Sequence, residues 1–215
     1  MHKTIDKQAF MALLDDNQRI AVGGFMACGT PETLIDWVVE SGVKDLTIIC
    51  NDAGFTDRGV GKLIAGDQVK KLIASHIGLN PEAGARMSAG TLSVELVPQG
   101  TLAERIRAHG AGLGGILTPT GVGTIVESGK RLIETNDKRY ILELPLGADL
   151  ALIEAETTDH KGNLVYDKTA RNFNPVMATA ATKVVAYVHQ TVDMLDPEII
   201  VTPHVFVDHI VEEVA

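Results

Sequence analysis

From residue 19 to residue 100, short apolar runs alternate with stretches whose apolar residues recur every three or four positions. Ile20-Ala21-Val22, Leu46–Cys50, Val69–Ala74 and Val94–Val97 are the runs, and each predicts a strand. Leu46-Thr47-Ile48-Ile49-Cys50 is continuous enough to lie buried on both faces of a parallel sheet. Helical spacing marks residues 4–15, through Ile5, Phe10, Leu13 and Leu14, and residues 31–41, through Leu34, Ile35, Val38 and Val39. Shorter helices are expected over 61–66, after Asn80, and over 101–109. Thr30 and Asn80 suit helix caps, Pro31 and Pro81 the first helical position, and Gly42 a helix stop.

After residue 109 the pattern changes. Glycines at 110, 112, 114, 115, 121 and 123, with Pro119 among them, exclude an ordinary helix or a central strand. Long irregular segments of this kind are usually functional. Arg131–Glu134 and Tyr140–Leu144 flank Asn136-Asp137 and read as a hairpin. Leu150–Ala155, Asn163–Tyr166 and Lys183–Val188 are later strands, and 170–175 is a polar loop entering a helix. No linker, low-complexity stretch or internal repeat is visible. The expected fold is α/β: one domain over 1–215, built on a mostly parallel, doubly wound open sheet with an extra β-hairpin excursion.

Composition narrows the partners. Of 215 residues 45% are hydrophobic, which excludes disorder, and the net charge of −9 argues against nucleic acid. No apolar run approaches the ~20 residues needed to span a bilayer, so no membrane role is expected. The N-terminal M-H-K-T-I-D-K-Q lacks a signal-peptide core, and two cysteines, Cys28 and Cys50, do not make a disulfide framework. The expected compartment is the cytoplasm. Seven scattered histidines show no ligand spacing, so no metal is expected.

The candidate chemistry lies at the ends of the first four strands, where ligands bind in open parallel sheets. After the first comes Gly23-Gly24-Phe25-Met26-Ala27-Cys28-Gly29, a glycine loop leading into a helix. It is neither the dinucleotide fingerprint nor a P-loop, since Thr30-Pro31 stands where Lys-Ser/Thr is needed. Its glycines would let a ligand approach the backbone, and a tight strand-to-helix turn would use them equally well. The second end gives Asn51-Asp52-Ala53-Gly54, the third Ser75-His76-Ile77-Gly78 with Asn80, and the fourth Pro98-Gln99-Gly100. Amides can orient a carboxylate or a thioester carbonyl without adding charge.

Together these blocks resemble the alpha subunit of the class I coenzyme A transferases. The first block has the pattern of an Asp/Asn pair, an apolar run and G-G-F-x-x-x-G-x-P: Asp16-Asn17, Ile20-Ala21-Val22, Gly23-Gly24-Phe25, Gly29 and Pro31. The strand-end blocks, Ala111–Gly115, Thr118–Thr124 and Ala170–Asn174 extend the resemblance from about residue 5 to about 210. The resemblance implies that Gly23–Gly29 binds coenzyme A. It also implies that Asn51, Asp52, His76, Gly78, Asn80 and Gln99 line the acyl or carboxylate site. Coenzyme A would be a substrate, with no tightly bound cofactor. The family nucleophile is a glutamate in a Glu-Asn-Gly segment of the beta subunit, and this chain lacks that segment. The resemblance therefore implies no catalytic nucleophile here and an A2B2 heterotetramer of alpha and beta subunits. Asp52 and His76 replace Asn and Tyr of some relatives, which bears on acyl specificity.

Glu40-Ser41-Gly42 and Glu127-Ser128-Gly129 are near misses, read as a helix end and a decoy after the glycine-rich segment. Cys28, near a helix N-terminus, reads as a small filler rather than a nucleophile. His76 reads equally as a substrate contact or a structural histidine. Arg105, Arg107 and His109 read as a solvated helix face, and Arg171 as paired with the chain's own carboxylates. Two other classes compete: a stand-alone sugar-phosphate isomerase-like enzyme, and a ligand-sensing module of a regulator. The first needs a phosphate clamp and the second a DNA-binding helix pair, and neither pattern is found.

Overall fold

The computed structural model describes residues 3–213, so the outermost residues of the domain expected over 1–215 lie outside it. The main sheet has eight strands: β1 (Arg19–Val22), β2 (Leu46–Ile49), β3 (Val69–Ala74), β4 (Ser93–Leu96), β8 (Ala148–Asp159), β9 (Leu164–Val165), β10 (Ala181–Val192) and β11 (His209–Glu212). Their order is β11-β10-β8-β1-β2-β3-β4, all parallel, with β9 added antiparallel to β8. A separate antiparallel sheet of β5 (Ile116–Thr118), β7 (Lys138–Glu143) and β6 (Leu132–Thr135) is the excursion. Asn136 and Asp137, both at positive φ (52° and 56°), make its turn as expected.

Alternation along each strand supplies two cores. Ile20, Val22, Ile48, Leu72 and Leu152 face one way, against α1 (Lys7–Met11), α2 (Glu32–Ser41), α3 (Gly61–Ala65) and α4 (Pro81–Ser88). Ala21, Ile49, Ile73, Ala151 and Ile153 face the other, toward Leu102 and Ile106 of α5 (Gln99–Gly110) and Met177 of α6 (Asn174–Ala178). The sheet is doubly wound, and the strand order changes direction at β1. Among the described residues no helix is long and apolar enough to cross a membrane.

Three boundaries depart from the sequence pattern. The helix expected over 4–15 is confined to α1, because Thr4 and Ile5 join Ile210 of β11 and Asp6 caps at Ala9 N–H (2.8 Å). Thr30 does not cap α2; Pro31 occupies the cap position, and the Thr30 hydroxyl is packed against Gly24. α5 starts at Gln99 rather than 101, which places that amide in the first turn of a helix. By contrast Asn80 caps α4 through Ala83 N–H, and Gly42 ends α2 with φ of 71°.

Candidate active site

At the end of β1 the chain folds back as a tight hairpin. Phe25 N–H donates to the Cys28 carbonyl (3.0 Å) and Cys28 N–H to the Phe25 carbonyl (2.9 Å). Met26 and Ala27 form its tip at φ of 49° and 65°, a left-handed conformation that costs a non-glycine residue about 1–2 kcal/mol. Such strain persists only where neighbours hold it. Here they do. Asp52, 6% exposed, accepts from Met26 N–H (2.8 Å) through one oxygen and from Gly54 N–H (3.0 Å) through the other. Asn172 accepts from Gly24 N–H (3.2 Å) and donates to the Cys28 carbonyl (2.9 Å). Fully buried Asn174 donates to the Gly29 and Ala170 carbonyls (both 2.8 Å) and accepts from Glu154 N–H (3.0 Å).

The loop's glycines answer to this packing. A Cβ on Gly23 would fall 1.8 Å from Asn174 Oδ1, and Gly24, at φ of 114°, would meet the Thr30 hydroxyl at 2.0 Å. The room left by the missing side chains is therefore filled by the chain itself, not kept open for a ligand. Beneath the loop lies a cavity of only about 10 Å³, lined by Gly23, Thr30, Asn51 and Asp52 among others. That is one water at most. The outer face is different: Phe25, Met26 and Cys28 are exposed, and Ala27 is half-buried.

The expected strand-end residues divide into two groups. Gln99, Asn51 and Asp52 form a chain along the rim. Gln99 Nε2 donates to Asn51 Oδ1 (2.7 Å), which also accepts from Ser75 Oγ (3.1 Å), while Asn51 Nδ2 donates to Asp52 (2.8 Å). Asn51 and Asp52 are buried, and Gln99 is exposed. His76 is exposed beside Asp52, to which its backbone is bridged, and its ring lies over Gly78, also exposed. Asn80, next to this rim, is turned inward: both ends of its amide are engaged, by Ala83 N–H and by the Ala53 carbonyl (2.9 Å).

Several other expectations meet their outcome here. Glu40 pairs with Lys7 on the surface, and Glu127 accepts from Gly123 N–H (2.7 Å). The Cys28 thiol lies 3.6 Å from the Thr169 hydroxyl. Arg105 is no solvated residue: it reaches Glu95 (3.0 Å) and donates to the Leu144 carbonyl (2.9 Å), fastening the excursion to α5. Arg171 has no carboxylate within 4.0 Å among the described residues, so the expected ion pair is not formed. Asn172 and Asn174 are the residues that strand-end reasoning missed. Asn172 comes from the turn before α6 and Asn174 from the first position of α6, and the signal was two amides in one polar segment leading into a helix.

On the α2 side of β8, Glu154 and His189 approach to 3.5 Å, and Glu213 is 3.0 Å from the other ring nitrogen. Burial pushes the Glu154 carboxyl above the usual range, opposed in part by His189. Burial works against charge on His189, but Glu213 and Glu154 outweigh it and raise its pKa.

Residues 4–213 match the family described as coenzyme A transferase. The chain is 54% identical over 198 residues to the alpha subunit of an acetate CoA-transferase of Escherichia coli K12, covering 91% of this chain and 90% of that one. It is 49% identical over 215 residues to the acetoacetyl-CoA:acetate/butyrate CoA transferase alpha subunit of Clostridium acetobutylicum, covering 99% of both. In fold it resembles an acyl-CoA transferase of E. coli O157:H7 solved as a thioester complex with CoA (TM-score 0.90, 23% identity). The match takes in 99% of this chain but 47% of that one, so the chain spans about half the length of that enzyme. A match spanning nearly all the described residues, and identities near one half, decide the matter: this chain belongs to the coenzyme A transferase family.

Proposed function

We propose that this chain is the alpha subunit of a heteromeric CoA-transferase. It moves CoA between a short-chain acyl- or 3-oxoacyl-CoA and a free carboxylic acid of the acetate, acetoacetate and butyrate class. One observation carries the reading. The rim assembles a strained hairpin and an exposed amide, Gln99, yet its carboxylate, Asp52, is buried with both oxygens accepting backbone N–H groups. A carboxylate so engaged is a poor nucleophile, so the attacking glutamate comes from a beta subunit closing over the rim.

The chemistry is nucleophilic catalysis in two half-reactions. The partner's glutamate attacks the acyl-CoA thioester, giving a mixed anhydride and CoA thiolate. The thiolate returns to form glutamyl-CoA and free acid, and the acceptor carboxylate then runs the sequence backward. The negative charge passes from the glutamate to the CoA thiolate and then to the released carboxylate, so no proton needs to move. This chain's part is to hold and polarise. The outer face of Gly23–Gly29 seats the CoA arm, with Ala27 N–H at its tip. The Gln99 side chain, in the first turn of α5 and aligned by Asn51, faces the charge developing on the carbonyl oxygen. His76 and Gly78 lie where acyl groups are distinguished, while Asn51, Asp52 and Asn80 shape the wall from behind.

An A2B2 assembly fits the apolar surface of the excursion, where Leu113, Leu117 and Leu144 are exposed and Ile125 is 92% exposed. Two free cysteines fit the cytoplasm. The test is CoA transfer to labelled acetate from acetoacetyl-, butyryl- or acetyl-CoA. The chain purified with its beta partner turns over with ping-pong kinetics, and the chain alone does not. Comparable turnover by the chain alone overturns the reading.

A further inference from the structure

The rim holds a buried negative charge that no cation of the described residues neutralises. Asp52 is 6% exposed, and its oxygens accept from Met26 N–H (2.8 Å), Gly54 N–H (3.0 Å) and Asn51 Nδ2 (2.8 Å). These are N–H donors alone, the partners of a carboxylate. Among the described residues no Lys, Arg or His nitrogen lies within 4.0 Å of it. Arg58, on the neighbouring hairpin, is turned over the Phe55 ring (5.2 Å). The cavity that Asp52 lines, about 10 Å³, has no room for a counter-ion with its water. The charge is felt nearby: burial pushes the Cys50 thiol well above its usual range, and Asp52 adds to the rise.

We infer that Asp52 sets the substrate class by charge: it keeps acids and acyl groups that carry a second carboxylate out of the acyl site and admits monocarboxylates, an inference that rests on the CoA-transferase reading above. Its place in the rim supports this. Asn51 joins Asp52 to Gln99, whose Nε2 donates to Asn51 Oδ1 (2.7 Å), and the Asp52 backbone is bridged to His76. An acyl group whose carbonyl meets Gln99 carries its far end past His76 and Gly78, beside Asp52. A methyl or oxo group there brings no net charge. A carboxylate there meets a fixed anion through protein rather than water, where the repulsion is stronger and salt screens it less. The chain as a whole, at net −9, adds to this repulsion. Asp52 acts here as a specificity-determining residue and does not touch the reacting atoms.

The test uses the complex with the beta partner, acetyl-CoA as donor, and two matched acceptors, succinate and monomethyl succinate. They share a carbon chain, and the ester is larger but lacks the second charge. The wild type should use monomethyl succinate with kcat/KM about 10- to 100-fold above that for succinate, the scale of one poorly screened repulsion. Asp52→Asn and Asp52→Ser remove the charge and keep an acceptor for the hairpin's N–H groups. Both should lower turnover, and both should bring the two acids to within about threefold of each other. A merely structural role would slow both acids alike and leave their ratio unmoved. Equal use of the two acids by the wild type, rejection of both, which would assign the exclusion to size, or a ratio unmoved by the variants would each overturn the inference. If the wild-type complex transfers no CoA to acetate, the proposed function fails. Saturation-transfer NMR of the two acids on the same complexes then ranks their binding and decides the role of Asp52.

Discussion

Two hairpins stand side by side at the ends of β1 and β2, and both follow the pattern Gly-Phe-x-x-x-Gly. Gly24 to Gly29 forms one and Gly54 to Gly59 the other, each closed by a pair of backbone hydrogen bonds, Phe25 with Cys28 and Phe55 with Arg58. Their tips differ. Met26 and Ala27 are both left-handed, whereas Thr56 and Asp57 have no positive φ. Their supports differ too. The first is held by Asp52, Asn172 and Asn174, from two other parts of the chain, while the second takes Asp52 at Gly54 and Glu32 at Gly59 (2.8 Å). The second hairpin is what this pattern adopts when a turn is enough. The first is bent away from that shape and is braced by more of the chain.

The most damaging change should be Asp52→Ala, which leaves the Met26 and Gly54 N–H groups without their acceptor. Urea titration should show a loss of about 3 kcal/mol. In the complex, kcat/KM should fall about 100-fold, as expected when a positioning element shifts by about 1 Å. A variant as active as wild type would mean the bracing has no part in catalysis. A smaller effect of opposite sign separates the tips. Replacing Met26-Ala27 by Asn-Gly should raise stability by about 1 kcal/mol, because Asn and Gly accept left-handed φ. The same replacement at Thr56-Asp57 should give no gain. Equal gains in thermal midpoint at both would remove the strain from the comparison.

The smallest effect reaches the first hairpin only through Glu154, whose N–H is held by Asn174. His189 lies between Glu154 and Glu213 and against Tyr187, and its folded pKa is above the ordinary 6.5. Its contribution is therefore fully present below pH 6.5 and lost as pH rises through the folded value. Partly exposed, it should amount to less than about 1 kcal/mol. His189→Gln should flatten the fall of thermal midpoint with rising pH in that window and leave the midpoint below it lower. An unchanged slope would assign the pH dependence to other groups.

The alternation of apolar runs and helical spacing made most of the parallel sheet readable, since β1 to β4 are short and buried. β11 escaped because His209–Glu212 has only two buried apolar residues, and β5 because glycines flank three residues at a sheet edge. The strand-end residues were legible as a group, for the rule about carboxyl ends needs only strand positions. What they touch was not. Asn80 and Gln99 look alike on paper, yet one is consumed as a helix cap and the other stays on the rim. Asn172 and Asn174 lie some 145 residues from the loop they hold, as Gly29 with Asn174 shows, and no local pattern carries that distance. The recurring Gly-Phe-x-x-x-Gly also went unread as a repeat, being too short to stand out among 21 glycines.

The central strand has a partner that is synthesised late. Ile20 pairs with Leu150, so one edge of β1 stays open until well over a hundred further residues have left the ribosome. At about 5–20 residues per second that is a wait on the order of 10 s. An apolar strand with an unfilled edge invites association during such a delay. Expression of this chain should therefore respond to translation speed and to chaperone supply more than its folded stability alone would imply.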